Sequence, residues 1–236
     1  MNKLLKAISL GITLSTFISC GSSETEDSDF VNQSRVYQGL SVDYDDEAKK
    51  LSWNAKFTFS GATGTTLELV DSSKVYVNDQ RLQKTTSKLD GTFYRLSKQS
   101  KGGDSSHQFT YIDNEGTTYR NSIAMNSIDY PANLPASFSK KNDLSVKWIG
   151  HPLEDETVVL ELRNTDEDKL VRVFQANNLA TKIIVRTADL KELPAGNIEM
   201  KLIRNSWRND LTESGAVGGY ISATYTSKKR ILKLED

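Results

Sequence analysis

Leu51-Ser52-Trp53-Asn54-Ala55-Lys56-Phe57-Thr58-Phe59 decides the fold class. Leu51, Trp53, Ala55, Phe57 and Phe59 share one parity, while Ser52, Asn54, Lys56 and Thr58 share the other. Side chains alternate across an extended chain, so the run puts its apolar groups on one face and its polar groups in water. A helical period of 3.6 would scatter the same residues around an axis. The stretch is an antiparallel strand with one buried face.

The same period runs through the chain from about Arg35 onward. Thr66–Val70, Lys74–Val77, Phe93–Leu96, Gln108–Ile112 and Tyr119–Met125 read as further strands. Turn chemistry separates them, as in Ser60-Gly-Ala-Thr-Gly64, Asp90-Gly91 and Asp113-Asn-Glu-Gly116. Val75-Tyr-Val-Asn-Asp-Gln-Arg-Leu82 reads as a hairpin turning at Asn78-Asp79. Asp129-Tyr-Pro-Ala-Asn-Leu-Pro135 interrupts the alternation and holds two of the four prolines, as a boundary would. A second series follows, in which Leu144, Val146 and Trp148 alternate with Ser145 and Lys147. Val158, Leu160 and Leu162 continue it, then Leu170–Phe174, Thr181–Arg186, Asn197–Ile203, Tyr220–Thr226 and Arg230–Leu234. Short strands at this spacing predict an all-β chain of two tandem immunoglobulin-like β-sandwich domains, at 34–131 and 132–236. The rival is one continuous sandwich or barrel across the whole body.

Leu190-Lys-Glu-Leu-Pro-Ala-Gly-Asn-Ile-Glu-Met-Lys-Leu202 resembles the corner of fibronectin type III and related domains, where a Leu, a Pro-Gly turn and an alternating strand follow in order. Ile198 stands where those domains often carry Tyr, so the tyrosine corner is missing.

The first nineteen residues are of another kind. Lys3 and Lys6 precede an apolar run from Ala7 to Ile18, which ends at Ser19-Cys20. Such a run is too short to span the roughly 30 Å core of a bilayer as a helix and has the layout of a secretory signal. Phe17-Ile-Ser-Cys20 followed by Gly21 resembles the lipobox of bacterial lipoproteins. That resemblance implies cleavage before Cys20 and acylation of its thiol, hence an envelope protein held to a membrane, most simply the outer one, by lipid. Residues 1–19 would then be the signal peptide. Residues 20–33, which include the acidic run Gly21-Ser-Ser-Glu-Thr-Glu-Asp-Ser-Asp29, would be a polar tether reaching at most about 50 Å. Cys20 is the single cysteine, so no intrachain disulfide forms.

The chain carries 30 Lys+Arg against 31 Asp+Glu. Loss of Lys3 and Lys6 leaves 28 against 31, a formal charge of -3. That excludes the basic surplus of a nucleic-acid binder. The two histidines, His107 and His151, are isolated, and neither zinc-ligand spacing nor a G-x-S-x-G nucleophile turn occurs. His107 is in phase with Phe109 and Tyr111, which reads as a satisfied side chain on a strand. Asp43-Tyr-Asp-Asp-Glu47 and Asp166-Glu-Asp168 lack calcium-loop spacing and read as turn acids. No metal, cofactor or catalytic residue is expected. An enzyme with a dispersed site remains the least favoured reading.

Trp53 and Trp148 follow the apolar parity of their strands and read as core. Trp207 does not. Ile198, Met200 and Leu202 define the inward parity, so an extended Trp207 points outward, with Arg204 and Arg208 nearby. It opens a long loop, 208–219, before the strand that begins at Tyr220. Loops at sandwich ends concentrate contacts, and Trp beside Arg is the composition of interface hot spots. Trp207, Arg208 and Tyr220 are therefore the candidate partner-binding residues, and the expected role is non-enzymatic binding of an envelope protein. The alternative is glycan recognition with Trp207, Tyr220 or Tyr225 as a stacking platform.

Overall fold

The computed structural model describes residues 25–88, 90–103 and 105–236. In its first half the strands are β1 (Thr25–Asp27), β2 (Val36–Asp45), β3 (Lys50–Phe59), β4 (Thr66–Glu68) and β5 (Lys74–Val77). They continue with β6 (Gln80–Arg81), β7 (Gln83–Ser87), β8 (Gly91–Gln99), β9 (Ser105–Ile112) and β10 (Thr118–Met125). The second half holds β11 (Ser137–Ser139), β12 (Leu144–Lys147), β13 (Glu156–Asn164), β14 (Leu170–Gln175) and β15 (Lys182–Val185). A short helix α1 (Thr187–Lys191) precedes β16 (Gly196–Arg208), β17 (Gly219–Thr226) and β18 (Arg230–Glu235). The expected hairpin is present: Val77 pairs with Gln80, and Asn78 and Asp79 both take positive φ (45° and 63°). This is the two-residue turn whose twist suits an antiparallel pair.

Among the described residues, twelve strands form one long sheet whose backbone runs β1-β4-β3-β2-β17-β16-β13-β14. β2 and β17 lie parallel at its centre, in register from Gly219 opposite Gln38 to Thr226 opposite Asp45. They come from the two strand series that the sequence separates at 129–135, so both series contribute to the same sheet. Each half then closes with its own smaller sheet. β10-β9-β5-β6 faces β2 and β3, where Phe57 packs on Tyr111 with ring centroids 4.5 Å apart. β12 and β15 pair in the second half and bury Val146, Ile183 and Val185. The architecture is two β-sandwiches built on one shared sheet, in keeping with the all-β, two-sandwich expectation.

Strand alternation explains the core. Leu40, Val42, Trp53, Phe57, Leu160, Leu202 and Ile221 all sit on the inner side of the long sheet and are essentially inaccessible. Removing each such side chain from water contributes about 1.5–3 kcal/mol. Trp53 and Trp148 are both buried, as their parity predicts.

The proline-bearing stretch is packed rather than loose. Ile128 and Tyr130 are buried, and Asp129 and Ile149 exchange backbone hydrogen bonds of 3.0 and 2.8 Å. Beneath this crossing lies a buried ion pair. Arg204 occupies the inward parity of β16, with Nε 3.0 Å from Glu156 Oε1 and Nη2 also bonded to Glu156 Oε2. The guanidinium further donates to the carbonyls of His151 (2.8 Å) and Pro152 (3.1 Å), while Asn126 donates to Glu156 Oε1 (3.1 Å). One arginine therefore ties three segments, as only its planar, five-donor fork can.

Candidate functional site

The outer face of the long sheet carries the residues that alternation turns away from the core. At the end of β16 this residue is Trp207, which is 54% exposed. Its ring stacks on Tyr220 from β17, with centroids 4.4 Å apart and planes within 10°. The indole Nε1–H donates to Asn209 Oδ1 at 2.6 Å, which fixes the ring about its remaining torsion. One indole face is covered by tyrosine, and the residue as a whole stays about half exposed.

Tyr220 is held from the far side by the backbone of β2. It pairs with Gly39, and a Cβ added there would lie 2.8 Å from Tyr220 Cε1. The missing side chain makes room for the phenol, an aromatic filling the gap over a strand glycine. Tyr37, two residues along β2, adds a third ring 6.4 Å from Tyr220. Burial pushes the Tyr220 hydroxyl pKa up, with Tyr37 and Asp43 adding to the shift, so the phenol stays protonated and can donate.

Beside these rings the sheet lays out two polar rows in direct register. Asn205, Thr224, Asp43, Ser52 and Ser97 follow one another across β16, β17, β2, β3 and β8. Trp207, Ser222, Ser41, Asn54 and Arg95 form the next row across the same strands. Arg95 Nε donates to Asn54 Oδ1 (2.8 Å), Asn54 Nδ2 donates to Asp43 Oδ2 (3.2 Å), and Thr224 donates to Asn205 Oδ1 (3.1 Å). Burial raises the Asp43 pKa, against the lowering effects of Arg95, Thr224 and Asn54. Its carboxylate is thus partly stripped of water and oriented by neighbours.

Of the three candidate residues, the fold brings Trp207 and Tyr220 together and sets Arg208 apart. Arg208 lies on the opposite parity and donates to the Ser122 carbonyl of β10. The loop that follows is docked on the first half. Glu213 and Asn121 exchange hydrogen bonds of 3.1 and 2.8 Å, and Ala216 N donates to the Ser34 carbonyl at 2.7 Å. Tyr225 is corrected as a platform residue. It is 7% exposed on the inner side and packs on Tyr44 at 5.0 Å, because its parity on β17 is opposite to that of Tyr220.

The remaining candidates have structural partners. His107 is buried, accepts from Trp53 Nε1 at Nδ1 (3.1 Å) and meets Ser105 Oγ at Nε2 (3.1 Å). His151 is exposed and contributes its carbonyl to Arg204. Asp45 caps the turn at Glu47 and Ala48, Asp46 pairs with Lys49 at 2.5 Å, and Asp168 bonds Arg163. Among the described residues no group of three or more His, Cys, Asp or Glu is placed to hold a metal. Cys20 lies outside the described residues.

Sequence reasoning missed that Tyr37, Asp43, Asn54, Asn205 and Thr224 share the outer face with the tryptophan. Parity assigns each to a polar face, but which strands adjoin is a non-local fact. It also passed over Arg204 as a buried group, although Ile198, Met200 and Leu202 share its parity.

Fold and surface define a class: an all-β protein with two sandwiches on a shared sheet and an aromatic cluster on its outer face. No protein-family model and no curated protein matches the chain. Among solved structures, the titin tandem Ig domains A164-A165 align over 85% of this chain and 94% of that one, at 13% identity and a TM-score of 0.24. The FN1–FN3 domains of chicken CNTN1 align at 8% identity and a TM-score of 0.28, over 84% of this chain and 65% of theirs. SGBP-B of the Bacteroides ovatus mixed-linkage glucan utilization locus, solved with a heptasaccharide, aligns at 10% identity and a TM-score of 0.24, over 80% and 55%. The fold stands on its own strand pairing.

Proposed function

We propose that this chain is a non-enzymatic binding protein of the bacterial cell envelope, anchored by lipid on Cys20 and meeting its partner with the outer face of the long sheet. The observation that carries the binding reading is the Trp207–Tyr220 stack, a half-exposed indole locked by a ring on one side and Asn209 at its nitrogen. A large aromatic normally moves into the core or wraps a hydrophobic neighbour; one held open and rigid loses little entropy when a partner covers it. The anchor rests on the resemblance of Phe17-Ile-Ser-Cys20 to a lipobox, and the tether expected over residues 20–33 is shorter than that, because Thr25–Asp27 pair with β4 and Ser28 and Gln33 are buried.

The test has two arms. Intact mass of the membrane-extracted protein should give a chain starting at Cys20 with added acyl mass, and Cys20→Ala should carry no acyl mass. Mature protein carrying Cys20→Ala should co-sediment with isolated envelopes, and Trp207→Ala in that background should stay in the supernatant. An unacylated product sinks the anchor; co-sedimentation indifferent to Trp207 sinks the surface.

A further inference from the structure

Resting on that reading of the outer face, we infer that its ligand is a carbohydrate: an oligosaccharide lying across β16, β17, β2 and β3, one ring stacked on Trp207 and its neighbours bonded by Asn205, Ser222, Asp43 and Asn54.

A pyranose has two kinds of surface, a face of C–H groups and a rim of hydroxyls. An open, immobilised indole takes the first, since a flat ring matches it over a large area. Side chains that both donate and accept, set beside the ring, take the second. The two rows supply this mixture. Amides at Asn205 and Asn54 and the carboxylate at Asp43 are planar and suited to paired hydroxyls, with Ser222 and Thr224 between them. Among the described residues, the Asn205 amide N–H groups, the Ser222 hydroxyl and the Tyr220 phenol remain open to a ligand.

The chemistry of the same rows argues against other occupants. The centre of a protein–protein contact is apolar and poor in charge. Beyond the Trp207, Tyr220 and Tyr37 rings, the two rows instead carry serine, threonine, asparagine and aspartate, with Arg95 at the far end. Nucleic acid also offers flat rings, but its phosphates need cations, and the partly dehydrated Asp43 sits in the path of any strand crossing the rows. The rows extend from β16 to β8, about 19 Å at the usual strand spacing, which suits several linked sugars rather than one. The site also draws on both halves of the chain, since β16 and β17 come from one and β2 and β3 from the other.

Native affinity electrophoresis tests this, using the mature protein with Cys20→Ala in gels containing hydroxyethylcellulose, arabinoxylan, yeast mannan, dextran or polygalacturonate. At least one polymer should retard the protein. Trp207→Ala and Tyr220→Ala should weaken that binding about tenfold or more, and Asn205→Ala less. Phe174→Ala, an exposed aromatic elsewhere on the outer face, should bind like the parent. Urea midpoints confirm that each variant is folded, and Trp207→Phe should restore part of the affinity. If no polymer retards the parent, or if retardation ignores Trp207, the carbohydrate assignment is wrong. Trp207-dependent co-sedimentation with envelopes would then still uphold the binding surface with a ligand of another class.

Discussion

His107 shows how one buried side chain couples the fold to pH. Trp53 Nε1–H points at Nδ1, so that nitrogen must carry a lone pair and the proton must sit on Nε2, toward Ser105. Protonating the ring would set two N–H groups against each other. Burial acts in the same direction: it holds the imidazole below its ordinary range, with Lys98 lowering it further against a bond to the Gly103 backbone. The folded protein therefore binds the extra proton less readily than the unfolded chain. Stability falls as the pH drops through the window between the unfolded and folded values, and is fully present above it. Urea midpoints measured from about pH 7.5 to about pH 5 should decline for the parent and decline less steeply for His107→Gln. Parallel slopes would show that the imidazole is not the titrating group. At the same scale, residue parity in the sequence already separates Trp53 from Trp207 and places His107 with Phe109 and Tyr111. It does not say that Trp53 and His107 meet, because 54 residues separate them.

Among the elements, the pairing of β2 with β17 positions the whole outer face. A glycine permits it. At Gly219 an added Cβ would lie 2.2 Å from the Gln38 carbonyl oxygen and 2.5 Å from Leu211 Cδ1. The nearer contact is backbone, which cannot rotate away, so β17 would have to withdraw from β2. Gly219→Ala should cost about 1–3 kcal/mol in urea denaturation, the usual range for overpacking. Gly102→Ala, where a Cβ meets nothing within 4 Å, should change stability little. Equal effects would mean that the close approach at Gly219 is not a constraint. The loop between β16 and β17 supports the same junction: its bonds to Asn121 and Ser34 fix the base from which Trp207 and Tyr220 project. Read from the sequence, this loop is a candidate contact segment because it is long and polar. Its docking depends on Asn121 and Ser34, far away in the chain.

For the whole molecule, the shared sheet has a thermodynamic consequence. The eight-residue register between β2 and β17 and the hydrogen bond from Asn126 to Glu156 bridge segments that the sequence would assign to separate domains. Exposing either half alone would leave the edge of β2 or β17 without its hydrogen-bonding neighbour. Urea unfolding followed by tryptophan fluorescence and by far-ultraviolet circular dichroism should give one coincident transition. Two separated transitions would instead support independent domains at 34–131 and 132–236.

The sequence by itself determined the all-β class, most strand positions, the buried Trp53 and Trp148, and the outward Trp207. Each follows from period-two alternation, and alternation is a local property that nine or so residues suffice to reveal. The resemblance of Phe17-Ile-Ser-Cys20 to a lipobox and the charge balance are equally local readings. Only the tertiary structure decided that β2 lies beside β17, that Tyr37, Asp43 and Asn54 share a face with Trp207, and that Arg204 meets Glu156. Strand order and register join residues as far apart as Gln38 and Gly219. They are chosen by the packing of complete faces and by the few glycines that let two backbones close, neither of which is written in any single stretch of chain.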